Sequence, residues 1–323
     1  MDKNKILQTV IKKDLIVIII LLLLILTFSI LTPNHSFATT ANLLVFCKYC
    51  PEIALITMGM AIVMITGEFD LSVGSIYVLS SVIFAYLIRN LHVHFIPAGL
   101  ITLASGCLMG FINGFLLTRT KITSFIVTLG TNWAFRGIML VWVGGGAVKI
   151  SLDESQKAIS NIFTGKLMEI PLQFIWLLVI TFFLWVFLHH TQIGVWIYAT
   201  GSNKRAGRMM GVNTDGITIC SFVLCGFLCA FAGFIQVSRM NHAIPQSGET
   251  TMMISIAGAI IGGVSLNGGR GGVIGALLGA FVYQVISLGF IMLGFIEYYT
   301  NIVMAVALIA ISTIYNFVNK ELR

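Results

Sequence analysis

Charged residues are scarce in this chain. Asp, Glu, Lys and Arg make up 10% of 323 residues, against about a quarter in a soluble domain. With 58% of residues hydrophobic, that shortage excludes a fold whose whole surface faces water. Proline is sparse too, at five, so long helices meet few breaks. The phosphate-cradling Gly-x4-Gly-Lys-Ser/Thr loop is missing, and so is the Gly-x-Ser-x-Gly nucleophile elbow. No motif supplies ATP hydrolysis or covalent catalysis, and the chain is not expected to be an enzyme.

Metal and redox motifs are equally thin. Cys47-Lys-Tyr-Cys50 has the spacing of a thiol pair, but no second pair accompanies it. Cys220, Cys225 and Cys229 fall in one apolar run, where a thiol behaves as a small hydrophobe. His92, His94, His189 and His190 lack the carboxylate context of a zinc site. Neither a metal nor a cofactor is expected. The net charge of +7 is read as membrane orientation, not nucleic-acid binding, because Lys and Arg gather in cytoplasmic loops of membrane proteins.

What the chain has in abundance is apolar runs near 20 residues, the length of a membrane-crossing helix. They predict an all-α, polytopic bundle of about ten spans, near 15–31, 43–66, 73–88, 98–117, 122–143, 172–188, 217–237, 252–266, 273–293 and 299–317. Pro51 is expected to kink the second span or to mark its true start. Basic loops place both termini in the cytoplasm, including residues 1–14 with four lysines. Residues 144–171 become an outer loop holding a short helix, and 189–215 a cytoplasmic loop. The run at 15–31 is longer than a signal h-region and no small-x-small cleavage site follows, so it is read as a retained span. The whole chain, 1–323, forms one membrane domain.

The stretch 65–75, Ile-Thr-Gly-Glu-Phe-Asp-Leu-Ser-Val-Gly-Ser, breaks the pattern. Two carboxylates and two glycines here place the stretch either at a membrane surface or at the inner wall of a path, because non-helical backbone at membrane depth needs protein or a watery cavity around it. Asp70 is read as the N-cap of the next helix in preference to a proton relay. Residues 260–274 echo the stretch weakly: Gly67, Leu71, Gly74 and Val78 match Gly262, Leu266, Gly269 and Val273. That is a candidate internal repeat, and transporters place substrate paths at repeat interfaces. Gly110-Phe-Ile-Asn-Gly114 and Gly275-Ala-Leu-Leu-Gly279 predict close helix packing, as does the Gly226/Ala230 spacing. Arg136 interrupts a span and is read as paired or snorkelling.

Residues 198–215 carry a second signal. Asn203 reads as an N-cap and Gly211 as the stop of a basic helix of about two turns, too short to span. It is either an interfacial anchor or a handle for a soluble partner.

Taken together, residues 67–75, 199–212, 226–233 and 257–272 resemble the membrane subunit of the ribose-type ABC importers, a carbohydrate-uptake family. The family pattern is Gly-Ile-Asp-Leu-Ser-Val-Gly-Ser in the first segment and Gly-Gly-x-Ser-Leu-x-Gly-Gly-x-Gly in the last. The resemblance implies a bacterial inner-membrane permease without its own ATPase. Its partners would be a solute-binding protein, a second permease subunit and a cytoplasmic ATPase. Asp70, Ser72 and Gly74 would shape the broken helix near the path, with Gly263, Gly268 and Gly269 doing so in the second half. Asn203, Arg205, Ala206, Arg208, Gly211 and Val212 would form the ATPase-coupling helix. Arg at 205, Gly at 207 and the extra charge of Glu68 depart from the family pattern. Pentoses, hexoses and autoinducer-2 are all open as cargo. Two other readings stand beside this one: an importer of branched-chain amino acids or nucleosides, and an ion-coupled transporter using Glu68 and Asp70.

Overall fold

Apolar segments in lipid must pair every backbone N–H and C=O internally, and a helix does so within one segment. The computed structural model of this chain describes residues 3–296 and 298–321. It comprises α1 (Lys3–Leu31), α2 (Thr40–Ile65), α3 (Val73–Arg89), α4 (Phe95–Thr120), α5 (Ser124–Val143), α6 (Glu154–Thr164) and α7 (Leu172–His190). Then come α8 (Gln192–Ser202), α9 (Lys204–Met209), α10 (Thr214–Met240), α11 (Gly248–Ile261), α12 (Val273–Met292) and α13 (Tyr298–Glu321). Four two-residue strands make two antiparallel pairs: β1 (Val148–Lys149) with β4 (His242–Ala243), and β2 (Lys166–Leu167) with β3 (Ile170–Pro171).

The all-helical, polytopic expectation agrees with this architecture. Among the described residues six helices are long and apolar enough to cross a membrane: α2, α4, α5, α7, α10 and α12. Residues 15–31 of α1, and all of α3 and α11, are apolar but shorter. At 17 and 14 residues, α3 and α11 measure about 25 and 21 Å, less than a hydrocarbon core of about 30 Å. They are the outgoing or incoming arms of broken hairpins. Pro51 does not start α2, which runs from Thr40 straight through it. Residues 1, 2, 322 and 323, part of the expected terminal placements, lie outside the described residues.

The core gathers around α10, which is antiparallel to α4. A Cβ on Gly106 would strike Ala230 and Gly226, and one on Gly110 or Gly114 would strike the α10 backbone at Phe222 or Ile219. Gly279 meets Gly258 of α11 and Gly262 just past its end in the same way. The small-residue spacings therefore bring backbones together where lipid supplies no hydrophobic drive. At the far end of α10, Phe234 packs edge-on against Phe84 and Phe163, ring centroids 4.9 Å apart in each pair. A buried ion pair locks the bundle nearby: Arg239 donates through Nε and Nη2 to Glu52 Oε1 at 3.0 and 2.7 Å, and lies over the Tyr49 ring. Residues 144–171 fold over this end as β1, α6 and the β2–β3 hairpin. Asp153 caps α6, accepting from Gln156 N at 2.7 Å. That bond and the Ser155 hydroxyl hold the Asp153 carboxyl below the usual carboxylate range.

Candidate functional site: two broken helices and a short basic rod

Helices α2 and α11 end with the same hydrogen-bonded stop. In α2, Gly67 N donates to Met64 O at 2.9 Å and Glu68 N to Val63 O at 3.3 Å. In α11, Gly263 N donates to Ile260 O at 2.9 Å and Val264 N to Ala259 O at 3.0 Å. Both are Schellman stops, which need a residue in the left-handed region, and Gly67 and Gly263 have φ of +83° and +82°. The left-handed position falls at Gly67 in the first and at Gly263 in the second, not at Gly262, whose φ is −69°. Helices α9 and α12 end in the same kind of stop at Gly211 and Gly294, so the stop by itself does not make the two stretches a repeat.

From Gly67 the chain turns back along α5. Phe69 N donates to the Ser124 hydroxyl at 3.1 Å and Leu71 N to the Thr128 hydroxyl at 3.0 Å. Ser75 Oγ is bonded to Asn132 one turn higher. The expected role of Asp70 needs correction. The residue preceding α3 is Ser72, and Asp70 is not its N-cap. Fully buried, Asp70 Oδ1 accepts from Ser72 N at 2.9 Å and Ser72 Oγ at 2.6 Å, making a tight turn before the helix. Asn113 of α4 donates to Ser72 Oγ at 2.7 Å. Asp70, Ser72 and Asn113 thus pin the loop to α4, satisfying polar groups that burial would otherwise penalise. Gly74 presses against the first residue of α11; a Cβ there would collide with Gly248 O.

The second loop runs through Gly263, Gly268, Gly269 and Gly271, all with positive φ. It reaches the first loop directly: Gly269 N donates to Ile65 O at 2.8 Å. A Cβ on Gly268 would stand 2.7 Å from Gly67 Cα and 2.8 Å from Gly201 O. One on Gly201 would strike Ile65 O and Gly269 N. So three glycines from three distant segments stack backbone to backbone. Gly201 is the last turn of α8, directly before the basic helix.

That helix is α9. Asn203 caps it, Oδ1 accepting from Ala206 N at 3.0 Å, and Gly211 ends it at φ +83° with Val212 N on Gly207 O at 3.0 Å. Both cap residues lie where the sequence put them. Arg205 and Arg208, expected to act alike, differ. Arg208 is tied back to α10 through Thr214 Oγ1 at 2.8 Å and Asp215. Arg205 is exposed, as are Met209 and Met210 at the tip. Those two methionines were missed; adjacent large apolar residues in a polar loop were the available signal. Lys204 forms an ion pair with Glu68, so the charge that departs from the family pattern joins α9 to the first loop. Tyr198 Oη donates to Gly271 O at 2.8 Å, joining α8 to the second. Arg136, expected to be paired or snorkelling, forms an ion pair with Glu249 at the start of α11. Ionisable groups at such depth cost about 2.5–3.5 kcal/mol each on insertion scales, so they do not stand against lipid without reason. Among the described residues no cluster of three His, Cys, Asp or Glu side chains is placed to hold a metal ion.

Residues 42–312 match the family described as branched-chain amino acid transport system / permease component. The chain belongs to this permease family. Its curated relatives include the ribose import permease protein RbsC of Escherichia coli (strain K12), 33% identical over 282 residues, or 87% of each chain. The RbsC of Bacillus subtilis (strain 168) is 34% identical over 285 residues, 88% of this chain and 87% of its own. The autoinducer 2 import system permease protein LsrC of Photorhabdus luminescens is 32% identical over 278 residues, 86% of this chain and 82% of its own. The resemblance to ribose-type permeases drawn from the sequence is borne out by these relatives. No solved structure matches the chain. As a member of this family it is a multi-pass membrane permease.

Proposed function

We propose that this chain is the permease subunit of an ATP-binding-cassette importer for a monosaccharide, a ribose-like pentose, a hexose or autoinducer-2. Likeness to ribose import permeases along 87% of the chain carries the reading. It works in the bacterial inner membrane beside a second permease subunit, with both termini in the cytoplasm. A solute-binding protein delivers the sugar at the β1–β4 end. A separate ATPase subunit hydrolyses ATP at the α9 end. Ten crossings arise when α1, α3, α11 and α13 complete the six full-length helices.

Helix α9 is the ATPase-docking element. Arg205, Met209 and Met210 face the partner, while Asn203, Ala206, Gly211 and Val212 hold the rod's shape. Arg208 braces it against α10. Because Gly201 stacks on both loops and Lys204 pairs with Glu68, displacing α9 displaces Ile65–Gly67 and Gly268–Gly269 together. Asp70, Ser72 and Asn113 resist at the far end of the first loop, so α3 pivots there and its contact with Gly248 opens or shuts the path. Gly74, Gly263, Gly268 and Gly269 make the close approaches this needs.

The test is uptake of labelled ribose and of leucine into proteoliposomes, with and without the ATPase and binding protein. Ribose uptake should require the ATPase and ignore ionophores. Leucine uptake in its place would support the substrate that the family description names. Uptake by the chain alone, abolished by ionophores, would overturn the reading in favour of ion coupling.

A further inference from the structure

Two ion pairs tie helices together within the bundle, and their surroundings differ. Glu52 and Arg239 are sealed, with side chains 11% and 6% exposed. Glu249 and Arg136 are open, at 71% and 30%. Arg136 sits on α5 about 18 Å from its Ser124 end and about 10 Å from its Val143 end, at about 1.5 Å per residue. Charges at that depth face the bundle interior or a water-filled cavity rather than hydrocarbon. An aqueous path beside Arg136, where α5 meets Glu249 of α11, is consistent with that rule.

Beside the open pair lies a crevice between α3, α5 and α11, with Ser75, Asn132, Arg136 and Glu249 as its polar lining and Gly74 against Gly248 as its back wall. Its polar groups now satisfy one another: Ser75 with Asn132, and Arg136 with Glu249. The space is about 20 Å³, close to one water molecule, so the crevice is too narrow for a sugar in this conformation. Opening it frees a donor-only guanidinium beside an acceptor-only carboxylate. A pair of neighbouring hydroxyls matches that arrangement, one oxygen accepting from Arg136 and the next hydroxyl donating to Glu249. The amide and hydroxyl of Asn132 and Ser75 both give and accept, which suits a third hydroxyl. A polyol is neutral, so the ion pair keeps its charge balance while it is occupied.

We infer that this crevice is a sugar-binding subsite of the path, reading two vicinal hydroxyls through Arg136 and Glu249 and a third through Ser75 and Asn132. The inference rests on the importer reading above.

The test compares import of D-ribose, 2-deoxy-D-ribose and 3-deoxy-D-ribose by the complete importer carrying wild-type chain, R136Q or E249Q. Every vicinal pair of ribose includes the 2- or the 3-hydroxyl. The binding protein's own preference is common to all chains and cancels in the ratio of ratios. The wild-type preference for ribose over at least one deoxy sugar should shrink several-fold, up to about tenfold, in both variants, because each replaces the charged partner of one hydroxyl with a neutral amide that bonds it more weakly. Rates falling equally for all sugars would overturn the subsite and make the pair a structural tie. Should both charge variants fail to assemble, S75A removes a hydroxyl and no charge, and the same ratio decides with a shift of a few fold. Wild-type ribose import with unchanged ratios in the variants refutes the subsite alone. No wild-type import of any of the three sugars refutes the ribose reading, and the subsite with it.

Discussion

The two broken hairpins share a helix stop and then part ways. The first loop, 66–72, is held by side chains: Asp70, Ser72 and Asn113 on one side, Ser124 and Thr128 on the other. The second, 262–272, is held mainly by backbone, Gly268 and Gly269 lying on Gly67, Gly201 and Ile65, with Tyr198 Oη of α8 bonded to Gly271 O, while Leu266 and Asn267 are exposed. A loop fixed by side chains is anchored to one neighbour. A loop fixed by glycine stacking, and tied through Tyr198 to the same helix α8 that carries Gly201, follows what it is stacked upon. In this permease that support is Gly201, next to α9, the proposed docking rod. In the proposed mechanism the first loop is the hinge and the second the follower.

Substitutions can break that contrast in graded ways. The largest effect is expected from Gly268→Ala. A Cβ there meets backbone at 2.7 Å, and φ of +74° costs a further ~1–2 kcal/mol for a non-glycine residue. The purified protein should lose roughly 3 kcal/mol of stability, read from thermal unfolding in detergent, with transport abolished. Normal transport by G268A would mean the stack is not needed.

Asp70→Ala should come next. It strips Ser72 N–H and the Ser72 hydroxyl of a buried acceptor, at a cost of about 1–3 kcal/mol. Asp70→Asn keeps one acceptor oxygen and should lose about half as much. Equal losses would show that charge, and not the hydrogen bond, fixes the hinge.

Glu68→Gln should alter stability by under about 1 kcal/mol, since Lys204 is substantially exposed. It should nonetheless lower sugar moved per ATP hydrolysed, because one tie between rod and hinge is gone. An unchanged ratio would leave the glycine stack as the sole connection. The smallest effect is expected from Arg208→Gln, which breaks an exposed pair and should shift stability by at most about 0.5 kcal/mol.

Features governed by local rules were legible in the sequence. Asn203 and Gly211 bound α9 because an N-cap and a left-handed glycine act within a few residues. The small-residue spacings located the close packing of α4 with α10 and of α11 with α12. Glycines and carboxylates between apolar runs marked residues 65–75 as an interruption, and the resemblance to the family implied a broken helix there. Features that join distant segments were not legible. Glu68 with Lys204, Glu52 with Arg239, and Arg136 with Glu249 are pairs that only the folded chain brings together. Asp70 looked like a cap because Asp before an apolar run usually is one; the turn two residues long takes its place. Matching by identity paired Gly67 with Gly262, whereas the positive φ lies on the adjacent Gly263, because identity alone does not tell which of two neighbouring glycines carries it.

The central claim is that a partner ATPase drives this permease by gripping α9. The most direct measurement is ATP-driven sugar uptake by a complex carrying R205E and R208E with Gly211→Pro, alongside co-purification of the ATPase. The account predicts that the variant stays in the membrane, loses the ATPase and imports less than about a tenth of the wild-type amount, two reversed charges and a broken stop removing more than 1.4 kcal/mol of docking. Undiminished co-purification and uptake would contradict it.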